Sequence, residues 1–173
     1  PSRVHHRCDQ VEAARTWGEK ENKVIVEKTE EQYILFRAVD KPYTLREISI
    51  ATKKCFSDSF QKQLPIFFQC GVIVPFDHIR EGRFTEATQA FLPIEKTDHV
   101  SNIRRLPGGL CASIYHIGDY LSIGHSYERL LDYCSSHSLE ILSDSYEFCI
   151  NDYITSRDEN EYITKIMFYV RES

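Results

Sequence analysis

No stretch of the 173 residues comes near the 18 or more apolar side chains that a membrane span needs, and the opening Pro1-Ser-Arg-Val-His-His-Arg7 lacks the apolar region of a secretory signal. These two absences predict a cytoplasmic chain with no membrane partner. C-x-x-C spacing is missing too. Cys8, Cys55, Cys70, Cys111, Cys134 and Cys149 stand far apart, which removes the motif basis for a zinc ribbon or a thioredoxin-type site. They read as small buried hydrophobes that stay reduced. His5 and His6 near Cys8, and Cys134-x-x-His137, have no second ligand pair at a recognisable spacing, so neither a metal nor a cofactor is expected. Positive charge is in deficit: 21 Lys and Arg against 26 Asp and Glu give a net charge of −5, without the basic excess of a nucleic-acid-binding face. A nucleophile–His–acid motif is also absent.

What is present is ordinary globular material, 42% hydrophobic and 27% charged, which excludes disorder and collagen and fits one domain with a sizeable core. Aromatics are the exception, with ten Tyr, ten Phe and one Trp. Rings in this number either fill a core or line a pocket for a flat or cationic ligand, and composition does not choose between the two.

Hydrophobic spacing places the elements. Val4, Cys8, Val11, Ala14 and Trp17 form a helical stripe, followed by a polar break at 18–23 and strands at 24–26 and 32–39. Thr44 caps a helix predicted over 45–64, and strands follow at 66–74 and 87–94. After the charged loop 95–99 the same order returns: a strand at 110–116 opened by Pro107-Gly-Gly109, a helix over 120–137, and strands at 144–151 and 161–170. Equivalent elements recur about 77 residues apart, which reads as a duplication. The expected fold is α+β: duplicated βαββ halves forming a curved mixed or antiparallel sheet, two helices on one face, and a ligand groove between halves on the uncovered face.

One residue does not suit its strand. In Asp144-Ser-Tyr-Glu-Phe-Cys-Ile-Asn151, Tyr146, Phe148 and Ile150 alternate to one face, leaving Glu147 on the other among small neighbours. The carboxylate is either part of a solvated strand face or the floor of the uncovered groove, where burial would demand a positive partner. Alternation alone does not decide.

His116-Ile-Gly118-Asp-Tyr120, Tyr127-Glu-Arg-Leu-Leu131, Ser143-Asp-Ser-Tyr146-Glu147 and Glu161-Tyr162-Ile-Thr-Lys-Ile166 together resemble the second half of the GyrI-like effector-binding domain, in particular the ligand domain of MerR-type multidrug-responsive transcription regulators. Residues 24–94 fit mainly in element order. The resemblance implies a sensor for a lipophilic cationic small molecule. Tyr146 and Glu147 match the family's Tyr-Glu pair, and Tyr162 matches an aromatic position on the last strand. Tyr33, Phe36, Phe68 and Phe91 are pocket candidates by chemistry alone. Tyr115 and His116, at the start of a loop, serve either ligand contact or a structural hydrogen bond. Residues 1–20 would be the remnant of a linker helix and 21–173 the effector-binding domain. DNA would be reached only through a winged-helix domain outside this sequence, and the full-length protein would be a homodimer. Two other functions stay open by the same resemblance: a stand-alone hydrolase in which Glu147 acts as general base with Tyr146 or Tyr162, and a module that binds gyrase or another protein.

Overall fold

The computed structural model describes residues 23–67, 69–98, 101–151 and 158–173. The helical stripe at 4–17, the His5, His6 and Cys8 group, and Phe68 lie outside the described residues. Strands β1 (Ile25–Thr29) and β2 (Gln32–Ala38) lead to helix α1 (Leu45–Gln61), β3 (Cys70–Val74), the five-residue helix α2 (Phe76–Arg80) and β4 (Gln89–Ile94). Then come β5 (Ile103–Leu106), β6 (Gly109–Ile117), a 3-10 turn (Tyr120–Ser122), α3 (Gly124–Ser136), β7 (Leu139–Ile141), β8 (Ser145–Asn151), a second 3-10 turn (Glu159–Glu161) and β9 (Ile163–Glu172). No helix among the described residues is long and apolar enough to cross a membrane.

The two long helices form where the sequence places them, while the short α2 falls between two expected strands. The Thr44 hydroxyl accepts from the Glu47 amide at 3.3 Å, satisfying one of the amides that a helix N-terminus leaves without a partner. From there α1 presents Ala51 and Cys55 to Val39, Ala90 and Leu92. Its last turn is tied down by Asp58, which accepts two hydrogen bonds from Arg37 on β2, at 2.5 and 2.7 Å. In α3, Tyr127, Leu130 and Cys134 are the buried stripe, packed on Val72, Val74, Ala112, Ile114, Ile166 and Phe168. Its expected first turn is instead the separate 3-10 turn, capped when the Asp119 carboxylate accepts from the Leu121 amide at 3.3 Å.

The sheet runs β1-β6-β9-β8-β3-β4-β2-β5, with β7 added to β9, and every pairing is antiparallel. The two halves, β2-α1-β3-β4 and β6-α3-β8-β9, meet at the β8/β3 seam, so the expected duplication is present in the topology. Each half is also edged by a strand that leads into the other: β1 pairs with β6 and β5 with β2.

Only Glu30 and Glu31 separate β1 from β2, although these strands stand at opposite ends of the path, so the sheet must curl back on itself. The two tight connections touch at the closure. A Cβ on Gly108 would lie 2.9 Å from the Thr29 carbonyl oxygen, the Tyr169 hydroxyl donates to the Pro107 carbonyl at 2.8 Å, and Arg105 pairs with Glu31 at 2.5 Å.

Curling gives the sheet an inside. Ile34, Ile73, Phe91, Leu106, Cys111, Phe148 and Met167, drawn from strands at both ends of the path, pack together there, while α1 and α3 cover the outside. The inner face buries itself, so two helices suffice for a sheet with two apolar faces.

Candidate functional site

Register fixes the surroundings of Glu147. On β8 it lies between Val72 of β3 and Ile166 of β9, at the seam of the two halves. Alternation sends it to the outer face, beneath the start of α3, and sends Tyr146 and Phe148 to the inner one. The expected location is therefore corrected on one point: the carboxylate lies at the junction of the halves but on the helix-covered face. The inner side of the curled sheet carries Tyr146 and Phe148 instead.

Glu147 is 0% exposed. Tyr120, on the 3-10 turn, donates its hydroxyl to Oε1 at 2.9 Å. Tyr127, from the first turns of α3, donates to Oε2 in a short hydrogen bond. The Tyr127 oxygen also lies 2.8 Å from the Ser145 hydroxyl. A phenol has one proton to give, so with that proton on Glu147 the serine must be the donor, and the result is a relay Ser145 to Tyr127 to Glu147. Phe84 stacks on Tyr127 with ring centroids 5.2 Å apart at 15°, and Phe168 meets the Tyr127 ring edge-on at 6.3 Å.

Burial pushes the Glu147 carboxyl up to about 7, against the pull of the two tyrosine hydrogen bonds, and no cationic side chain among the described residues enters the balance. The same burial, with the glutamate's charge beside them, raises both tyrosine hydroxyls well above their ordinary range. Tyrosine therefore serves as a neutral donor here. When ionised, the carboxylate has two neutral donors and no countercharge among the described residues, although buried charges are normally paired.

The other sequence candidates divide between the faces. Tyr146 lies inside, edge-on to Phe91 at 6.5 Å and to Tyr169 at 5.9 Å. Phe91 is fully buried and lies across Gly71, where a Cβ would overlap both its ring and the Glu147 carbonyl oxygen. Phe36 faces Phe91 across β2 and β4 and carries the Arg104 guanidinium 4.7 Å above its ring. Tyr115 pairs with Lys165 on β9, and desolvation raises its hydroxyl. Tyr33 packs outside with Leu35, Leu64, Ile94 and Ile103. The Tyr162 carbonyl accepts from the Gly118 amide at 2.8 Å, beside the turn that holds Tyr120. His116 is 5% exposed and fully engaged by Ser126 and Asp119.

The rings brought to Glu147 are thus Tyr120 and Tyr127, with Phe84 behind. In sequence both tyrosines fall within the helix expected over 120–137, and neither is among the site candidates. One signal was available for Tyr127: a tyrosine in a buried stripe must find a partner for its hydroxyl.

Residues 23–171 match the family model of the GyrI-like small molecule binding domain. Among curated proteins none matches the sequence. Among solved structures, the C-terminal domain of EcmrR superposes with a TM-score of 0.72 at 16% identity, covering 87% of this chain and 98% of that one. EcmrR bound to DNA, in a structure described as EcmrR-RPo, gives 0.70 at 16% identity over 99% of this chain and 65% of that one, so the present chain spans just under two thirds of that protein's length. SAV2435 bound to tetraphenylphosphonium gives 0.52 at 10% identity, over 86% of this chain and 94% of that one.

Proposed function

Because the chain belongs to the family of GyrI-like small-molecule-binding domains, we propose that it senses a lipophilic aromatic cation at the seam of its two halves, with Glu147 reading the charge, as the ligand domain of a transcription regulator. The observation that carries this reading is the fully buried, hydrogen-bonded carboxylate that meets no positive side chain among the described residues. A cation whose charge is spread over aromatic groups suits it twice. It supplies the missing countercharge, and its desolvation costs less than that of a compact ammonium. Tyr120, Tyr127 and Phe84 would give the ring surfaces, each contact contributing roughly 0.5–2 kcal/mol.

Two likenesses support the reading: one similar fold carries tetraphenylphosphonium, and another belongs to a DNA complex. Since Glu147 is covered from above by Tyr120 and Tyr127, a ligand reaches it only when the 3-10 turn or the Phe84 segment shifts. That displacement is the signal such a domain would pass on to a DNA-binding neighbour.

The test is calorimetric titration of the wild type and Glu147→Gln with tetraphenylphosphonium and with a neutral analogue of similar shape. Losing a desolvated charge pair should weaken the cation tenfold or more, equivalent to ~1.4 kcal/mol, and leave the neutral compound nearly unchanged. Equal losses for both compounds would make Glu147 a structural support only, and failure of every cation in a broad screen would remove the proposal.

A further inference from the structure

We infer that His116 is the positioning residue of the Glu147 centre: its ring clasps the turn carrying Tyr120 to the first turn of α3, and so sets the tyrosine hydroxyl on the carboxylate. This rests on the reading of Glu147 given above. It also resolves the choice between ligand contact and structural hydrogen bond that the sequence leaves open.

The geometry is closed on both ring nitrogens. Nε2 lies 2.8 Å from the Asp119 carbonyl oxygen. A carbonyl only accepts, so Nε2 carries a proton and donates. Nδ1 lies 2.7 Å from the Ser126 hydroxyl. In the neutral ring this nitrogen is the acceptor, and Ser126 donates to it. The Ser122 hydroxyl joins the same knot, 3.2 Å from Nε2 and donating to the Asp119 carbonyl at 2.7 Å.

Asp119 immediately precedes Tyr120, and Ser126 immediately precedes Tyr127. One imidazole therefore holds the chain next to each of the two donors of Glu147, from a buried position near the end of β6. Beside this clasp the turn is held by the Gly118 amide on the Tyr162 carbonyl and by the buried Ile123 that follows it. Gly118, before it, has a φ of 123°, a conformation open chiefly to glycine, and Leu121 within it is 68% exposed. Without the imidazole, the Asp119 carbonyl keeps the local hydroxyl and amide of Ser122 but loses its side-chain tie to β6.

The readout is the titration of the Glu147 carboxyl itself, followed by NMR in glutamate-labelled protein, so it needs no ligand. Tyr120→Phe removes one hydrogen bond to the carboxylate and should raise the midpoint by about half to one pH unit. His116→Asn, whose short amide reaches only toward Ser126, should raise it by at least half as much. His116→Gln, whose longer amide can replace Nε2 as the donor to Asp119, should stay near wild type. In a Tyr120→Phe background, His116→Asn should add nothing, because its effect passes through a hydroxyl already gone.

A wild-type midpoint in His116→Asn, equal shifts in the Asn and Gln variants, or a full additional shift in the double variant would each overturn the inference. A cation screen that fails while this pattern holds would remove only the ligand proposal. Cation binding with the pattern absent would remove only the role of His116.

Discussion

Replacing Glu147 by glutamine keeps the outline of the side chain and removes its titration, so the variant reads out what the buried charge costs the fold. In the folded protein the carboxyl titrates at about 7, against 4.5 for an unperturbed group. Between those values the folded state holds a proton that the unfolded chain has released. Stability is therefore full below about pH 4.5 and falls as pH rises toward 7. At ~1.4 kcal/mol per pH unit, the whole displacement corresponds to about 3 kcal/mol, and most of it falls between pH 5 and pH 8. Glutamine is neutral throughout. The variant should match the wild type at pH 5 to within about 1 kcal/mol and exceed it by about 2–3 kcal/mol at pH 8. Urea unfolding of both proteins at the two pH values, at fixed ionic strength, measures the difference, and all other titrations common to the pair cancel. A wild-type-minus-variant difference that does not change with pH would refute the reasoning, because it would mean that the carboxyl is solvated and ordinary in the folded state.

Two further perturbations test the frame around the site. Gly71→Ala should destabilise the protein by about 3 kcal/mol or more in chemical denaturation, since the new methyl overlaps both the Phe91 ring and the backbone of β8; a loss below about 1 kcal/mol would mean that the seam can open to admit a methyl. Asp58→Asn breaks the two-bond pairing with Arg37, which holds the Asp58 carboxyl below the usual carboxylate range. Because Arg37 is 40% exposed, the expected loss is modest, about 1–2 kcal/mol by urea unfolding at pH 7, and it should vanish when the pH is lowered far enough to protonate Asp58 in the wild type.

Periodicity made the long elements legible. The Thr44 cap and the Ala51 and Cys55 stripe give α1, the Tyr127, Leu130 and Cys134 stripe gives α3, and the recurrence near 77 residues gives the two halves. Short elements were not legible, for identifiable reasons. Ile103-Arg-Arg-Leu106 has two adjacent charges and no alternation, yet it becomes β5 because it lies along the free edge of β2. Leu139–Ile141 is too short to show any period and pairs only with the end of β9. For Glu147, alternation sorts a strand into two sets of side chains without saying which set the helices cover, and that depends on the curl of the whole sheet. The partners of Glu147 come from a turn and a helix, 27 and 20 residues upstream respectively, a separation that strand-level reading does not span.

Each half gives its leading strand to the other, β1 to β6 and β5 to β2, and this interleaving bears on how the chain comes apart. Neither repeat is a self-sufficient unit: detached, residues 109–173 would lose β1 and leave the flank of β6 bare, and the first repeat without β5 would leave β2 in the same condition. The bonds that complete one half are thus made by chain belonging to the other, across sequence separations of about 70 to 90 residues. Partial unfolding of one half strips an edge from its neighbour, so the two should melt as a single cooperative body in spite of their repeated architecture, and the long-range pairings make their formation slow. A disturbance at the seam, where Glu147 sits, is then carried by both halves at once.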